Sequence, residues 1–172
     1  MSAEPRLRVG VAELRRRPGN RVHLVRDVPV GGLAVTTAEV PEGGVAHLDA
    51  VLESLSDGIT LTGDVSFPWQ GPCRRCLEPT GGELSARVRE VFKDAPEGGD
   101  LLALDGDAVE LGPVVRDAVV LALPLAPLCS EDCAGPDPEH FPVRSAEGTE
   151  PPADPRWAAL AELRFDPGPD DR

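Results

Sequence analysis

Aromatic side chains are scarce: they make up 3% of the 172 residues, tyrosine is absent, and there are four phenylalanines and two tryptophans. A core, if one forms, must be built from Val, Leu and Ala. Stacking platforms for single-stranded RNA reduce to Trp69 and Trp157, and both are expected to pack instead. Basic charge is also short. Lys93 is the single lysine, and the net charge is −13, which argues against a simple nucleic-acid coat. No window approaches the roughly 18 apolar residues of a membrane span. Met1 to Arg6 holds no apolar leader core, so a cytoplasmic protein without membrane contact is expected.

Cysteine is rare too, but its placement is informative. The four cysteines fall in two close pairs, Cys73-Arg74-Arg75-Cys76 and Cys129-Ser130-Glu131-Asp132-Cys133. Two such pairs far apart in sequence suit one tetrahedral Zn²⁺ site, each turn giving two thiolates. The metal ligands expected are therefore Cys73, Cys76, Cys129 and Cys133, around a structural Zn²⁺. Four buried free thiols, a disulfide pair and a redox Cys-x-x-Cys are the alternatives. A redox pair needs a helix starting at the motif, whereas Pro72, Pro79, Gly81 and Gly82 read as turn chemistry. In a reducing compartment, paired cysteines hold metal or do redox work more often than they form structural disulfides.

The hydrophobic pattern is mostly that of strands. Arg6–Val9 predicts a short strand, Val11–Arg17 a helical turn or two, and Val22–Val28 and Leu33–Val40 two more strands. The clearest signal is the hairpin of residues 47–67. There Leu48, Ala50 and Leu52 face Ile59, Leu61, Val65 and Phe67 across a Ser56-Asp57-Gly58 turn. Leu84–Phe92 alternates as well, which places the first cysteine pair at a strand-to-strand connection. Residues 94–107 read as an acidic, glycine-rich loop. Residues 113–123 predict a buried helix between Pro113 and Pro124, with a strand over 118–123 as the alternative. The expected fold is α+β: a mostly antiparallel sheet, one buried helix and a four-cysteine, zinc-knuckle-like site. It is divided into a domain over 1–133 and a flexible acidic tail over 134–172, with a short helix at about 155–163 after Asp154.

Charge is unevenly spread. Arg6, Arg8, Arg15, Arg16, Arg17, Arg21 and Arg26 crowd the first 26 residues against Glu4 and Glu13. Arg15, Arg16 and Arg17 are candidate phosphate contacts, and so are Arg74 and Arg75 between the first two cysteines. Each set also has a plainer reading, as a solvated basic end and as an offset to thiolate charge. His23, His47 and His140 share no ligand spacing. No Gly-rich phosphate loop, Ser-His-Asp order or distinguished carboxylate pair is present, so no catalytic residue is assigned.

Three stretches in order resemble the YceD family of large-subunit ribosomal RNA accumulation proteins, also called domain of unknown function 177. They are Cys73-Arg74-Arg75-Cys76-Leu77-Glu78-Pro79, Leu121-Ala122-Leu123-Pro124-Leu125-Ala126-Pro127-Leu128-Cys129-Ser130-Glu131-Asp132-Cys133, and Asp154-Pro155-Arg156-Trp157-Ala158-Ala159-Leu160. Family members typically continue past the later pair with Gly-Leu-Cys-Pro-x-Cys-Gly. Here Asp137 and His140 stand where two further cysteines would fall. The arginine-rich composition fits a bacterium of high GC content.

The resemblance implies a non-enzymatic ribosome-assembly factor that promotes accumulation or processing of large-subunit (23S) rRNA. Its partners would be the precursor large ribosomal subunit, through rRNA, a basic ribosomal protein, or both. A thiol–disulfide redox protein using Cys73 and Cys76, and a zinc-stabilised protein–protein adaptor, are the other readings. Metal content separates the first two.

Overall fold

The computed structural model describes residues 7–94, 102–141 and Arg156. The chain divides into two compact units, Met1–Pro142 and Val143–Arg172. Of the helix expected at 155–163, only Arg156 lies among the described residues.

Among its described residues, the first unit is a five-stranded sheet with one α-helix against it. Its strands are β2 (Arg21–Pro29), β3 (Val45–Ser54), β4 (Gly58–Pro72), β5 (Pro79–Lys93) and β6 (Leu102–Ala103), side by side in that order. All neighbours run antiparallel except β5 and β6, which pair in parallel at Phe92 and Lys93. A separate two-stranded ribbon joins β1 (Arg8–Gly10) to β7 (Ala108–Glu110). Helix α1 (Gly112–Ala122) follows β7 and packs on β5, β4 and β3.

Alternation sets the buried face. Ala46, Leu48, Ala50 and Leu52 of β3 and Ile59, Leu61, Val65 and Phe67 of β4 are all buried. Each fully buried Leu, Ile or Phe side chain contributes about 1.5–3 kcal/mol, so this pair of strands anchors the sheet. Gly58, expected in the turn, instead opens β4. Helix α1 has Pro113 in its first turn and buries Val114, Val115 and Val119. Its other side stays open to solvent, with Leu121 85% exposed, so the helix is buried on one face rather than all round. Its end at Leu123 is set by Pro124, which disfavours helical geometry in the residue before it.

The expected strand over 33–40 is not there. The segment folds back on itself, with Ala34 opposite Glu39 and backbone bonds from Val35 to Ala38 and from Val40 to Leu33. Reversal at Thr36 and Thr37 lets Leu33, Ala38 and Val40 reach the core together. The first helical segment is shorter than its longest reading: a 3-10 turn over Leu14–Arg16 that buries Leu14.

Strands β4 and β5 pair from Gly58–Lys93 to Pro72–Pro79, 15 residues each. At about 3.3 Å per residue the ribbon is roughly 50 Å long. Its partner β3 reaches only as far as Ser66, leaving the far end of the ribbon beyond the body of the sheet. The folded-back loop braces that end. Glu39 and Gln70 exchange backbone bonds of 2.8 and 2.9 Å, and their side chains bond at 2.9 Å. Gly71 is required there, because a Cβ would lie 2.4 Å from the Thr37 carbonyl oxygen. Thr37 Oγ1 in turn donates to Pro124 O at 3.0 Å, tying the brace to the chain that leaves α1.

Candidate metal centre

The four cysteines meet at the tip of the β4–β5 ribbon. Cys73 and Cys76 form the turn between the two strands. The Cys73 N–H donates to Glu78 O at 2.8 Å and closes the turn. The Leu77 N–H donates back to Cys73 O at 2.9 Å. Leu77 takes φ 65°, a left-handed conformation that costs a non-glycine residue about 1–2 kcal/mol, and the residue is 71% exposed. The second pair arrives from α1. Its loop is fixed by the Cys133 N–H to Ser130 O and joined to the first loop by the Arg74 N–H to Pro127 O at 2.8 Å.

The ligand atoms of Cys73, Cys76, Cys129 and Cys133 all lie within 4.8 Å of one another and could hold a metal ion. The closest contacts cross between loops. Cys73 Sγ is 3.8 Å from Cys133 Sγ, and Cys76 Sγ is 3.8 Å from Cys129 Sγ. A tetrahedral site with ~2.3 Å metal–sulfur bonds has sulfur–sulfur edges of about 3.8 Å, so these two contacts fit directly. The rest need to contract by at most about 1 Å to reach that edge. Among the described residues no other group of His, Cys, Asp or Glu gathers in this way.

The backbone around the cluster favours thiolate at one sulfur. Cys73 is lowered to about 6. The Cys76 N–H is the largest cause, with the N–H groups of Cys129 and Arg75 also favouring the anion against the cost of burial. Cys76 is pushed up to about 12. The Glu78 N–H favours its thiolate, but burial and the three neighbouring thiols outweigh it. Cys129 is raised, first by Cys133 and then by Cys73. A metal entering this cluster would displace protons from Cys76 and Cys129, so its affinity falls as pH drops.

The arginines picked out in the sequence divide by what they touch. Arg75 reaches across the tip. Its guanidinium donates to Glu131 O at 2.8 Å and Cys133 O at 3.0 Å, clamping one cysteine loop to the other. Arg74, beside it, is exposed. Arg15 pairs with Asp94 and bonds Gly106 O and Asp107, so it ties the N-terminal turn to the region of β5 and β7. Arg16 pairs with Glu13 at 2.6 Å on the surface. Arg17 is exposed and forms no ion pair with a described residue. Asp137 and His140 bond each other, 2.9 Å between Oδ2 and Nδ1, outside the thiol cluster.

Sequence reading missed three features. The Arg75 clamp had no signal, since its acceptors are backbone carbonyls 56 and 58 residues away. The left-handed Leu77 was also silent, because glycine is the usual marker of that conformation. Two cross-strand pairs, His23–Asp49 and His47–Asp27, lie on the open face of the sheet. They join residues of adjacent strands, so only the strand register reveals them.

Comparison with known proteins gives the chain a family. Residues 61–164, which include all four cysteines, match the family described as large ribosomal RNA subunit accumulation protein YceD. The chain belongs to the YceD family. That family is described as an accumulation factor. An uncharacterized protein of Mycobacterium tuberculosis is 32% identical over 165 residues, covering 90% of this chain and 80% of that protein. An uncharacterized Mycobacterium leprae protein is 29% identical over 164 residues, covering 89% and 75%. The Bacillus subtilis protein YlbN, also uncharacterized, is 27% identical over 123 residues, covering 67% and 69%. No solved structure matches. Among the described residues of this YceD member, no helix is long and apolar enough to cross a membrane.

Proposed function

We propose that this chain is a non-catalytic assembly factor that promotes accumulation of large-subunit (23S) rRNA in the cytoplasm, and that a structural Zn²⁺ joins its two cysteine loops. The observation that carries the functional half is the YceD match over residues 61–164. The observation that supports the metal is the convergence of four thiols within 4.8 Å. Soft thiolates in fourfold array select Zn²⁺ over hard cations. With all four positions filled by protein, no site is left for water or substrate, so the ion's contribution is folding energy rather than chemistry.

The redox alternative fits the tip poorly. A Cys-x-x-Cys enzyme presents its low-pKa thiol to solvent at a helix start. Here the lowered thiol, Cys73, is 0% exposed, and a left-handed Leu77 follows the motif. The partner is the precursor large subunit. An acidic body repels bare RNA at long range, so RNA contact would be local. Arg16, Arg17 and Arg74 are the exposed cations that suit it, while Arg15 and Arg75 bond within the chain. A basic ribosomal protein would suit the acidic surface instead.

The test is depletion of the protein in its own host, scored by the ratio of large- to small-subunit rRNA. A falling ratio, restored by the wild-type chain, is expected. An unchanged ratio contradicts the reading.

A further inference from the structure

The four sulfurs are not equally accessible. Cys73 and Cys133 are buried, at 0% and 8% exposure, while Cys76 is half-buried and Cys129 exposed. The two accessible sulfurs are also neighbours, 3.8 Å apart and drawn from different loops. Bonds that need no metal hold those loops together. They are the Arg74 N–H to Pro127 O and the Arg75 guanidinium to Glu131 O and Cys133 O. These bonds bring the two sulfurs back within reach of each other whenever the metal-free tip closes. A disulfide requires about 2.05 Å between sulfurs, so closure is a movement of roughly 1.8 Å within two exposed turns.

We propose that Cys76 and Cys129 form a peroxide-responsive dithiol whose oxidation bridges the two loops covalently and releases the metal. The exposed Cys129 sulfur attacks one oxygen of hydrogen peroxide. The O–O bond breaks, the departing hydroxide takes a proton to become water, and Cys129 is left as the sulfenic acid. Cys76 then gives up its thiol proton, and its sulfur attacks the Cys129 sulfur. The S–O bond breaks, and the second hydroxide leaves as water after protonation. Two thiols lose two electrons, the peroxide gains them, and two waters form. Cys73 and Cys133 alone leave the ion half its ligands. The bridge spans 53 residues of chain and joins the loops that the metal joined, so the cross-link is exchanged rather than lost. Dithiol reductants reverse it by attack on the exposed Cys129 sulfur.

The metal-release half rests on the zinc reading; the bridge does not. The experiment treats the full chain, zinc-loaded and separately metal-free and reduced, with a few equivalents of hydrogen peroxide. Released zinc is followed with a chromogenic chelator, and cross-linked peptides are mapped by mass spectrometry. Expected are one zinc released for every two thiols lost, a Cys76–Cys129 peptide in both samples, and recovery of zinc binding after dithiothreitol. Cys73→Ser should still form that bridge and Cys129→Ser should not. A chain that never takes up zinc yet forms the bridge would sink the zinc reading and leave the dithiol standing. Zinc retained with thiols intact, a Cys73–Cys76 bridge, or sulfinic acid without a bridge would overturn the proposal.

Discussion

The two ends of the β4–β5 ribbon are held by different forces. At the Gly58 end, Ile59, Leu61 and Phe92 sit at 0–1% exposure in a core shared with β3. At the Pro72 end, apolar cover is thin. Leu77 and Leu125 are 71% and 78% exposed, and order comes from backbone bonds, the Glu39–Gln70 brace, the Arg75 clamp and four thiols. The same two strands thus pass from a region stabilised by burial to one held by polar groups and lined by four clustered thiols. Damage to the first end should unfold the chain. Damage to the second should free the tip and leave the sheet.

The largest effect is expected in the core. Phe92→Ala should cost about 3–5 kcal/mol of global stability, because Phe92 is 1% exposed beside Ile59 and its removal leaves a cavity. Denaturant unfolding should show this loss equally with and without a chelator. A loss that depends on chelator would erase the distinction between the two ends.

Arg75→Ala removes the side-chain clamp without touching a sulfur. It should lower zinc affinity by roughly 10- to 100-fold while changing core stability little, since such supporting groups orient ligands rather than bind the ion. Competition with a chelator of known affinity measures it. An unchanged affinity would mean the backbone bonds alone position the loops.

Leu77→Gly should stabilise the tip by about 0.5–1 kcal/mol, relieving the left-handed strain less the added freedom of the unfolded chain. Amide exchange at Cys73 to Glu78 reads it. Faster exchange would show that the exposed leucine contributes contacts worth more than the strain.

The smallest effect concerns the basic turn. Arg16→Glu with Arg17→Glu spares Arg15, whose loss would place a carboxylate beside Asp94 and Asp107. Co-sedimentation with precursor large-subunit particles should weaken, and its salt dependence should flatten by about one unit of slope per lost phosphate contact. Equal binding by both forms at two salt concentrations would favour a basic ribosomal protein as the contact.

The contrast between the ends also explains what the sequence disclosed. Alternation in 47–67 and in 84–92 reads out directly, because each residue's side of a strand is set by its own position. Helix α1 was legible from Pro113 and Pro124 and its apolar spacing. The cysteine tip was legible in composition, since Cys pairs carry their chemistry in their spacing. Segment 33–40 was misread because its Thr and Val content suits a strand, while its fold-back depends on distant core and on Gly71. The Arg75 clamp and the Arg15 ties were illegible for a related reason. Both acceptor sets are far away in sequence, so a run of arginines looks the same whether it faces RNA or the chain itself.

The claim that the cysteine end is a metal-held unit on a burial-held sheet is tested most directly by hydrogen exchange of the full chain, before and after a strong chelator, with zinc counted in the same samples. One zinc per chain is predicted, and its removal should strip protection from residues 71–79 and 127–134 while residues 46–67 keep theirs. No bound zinc, or exchange at 71–79 and 127–134 unchanged by the chelator, would contradict it.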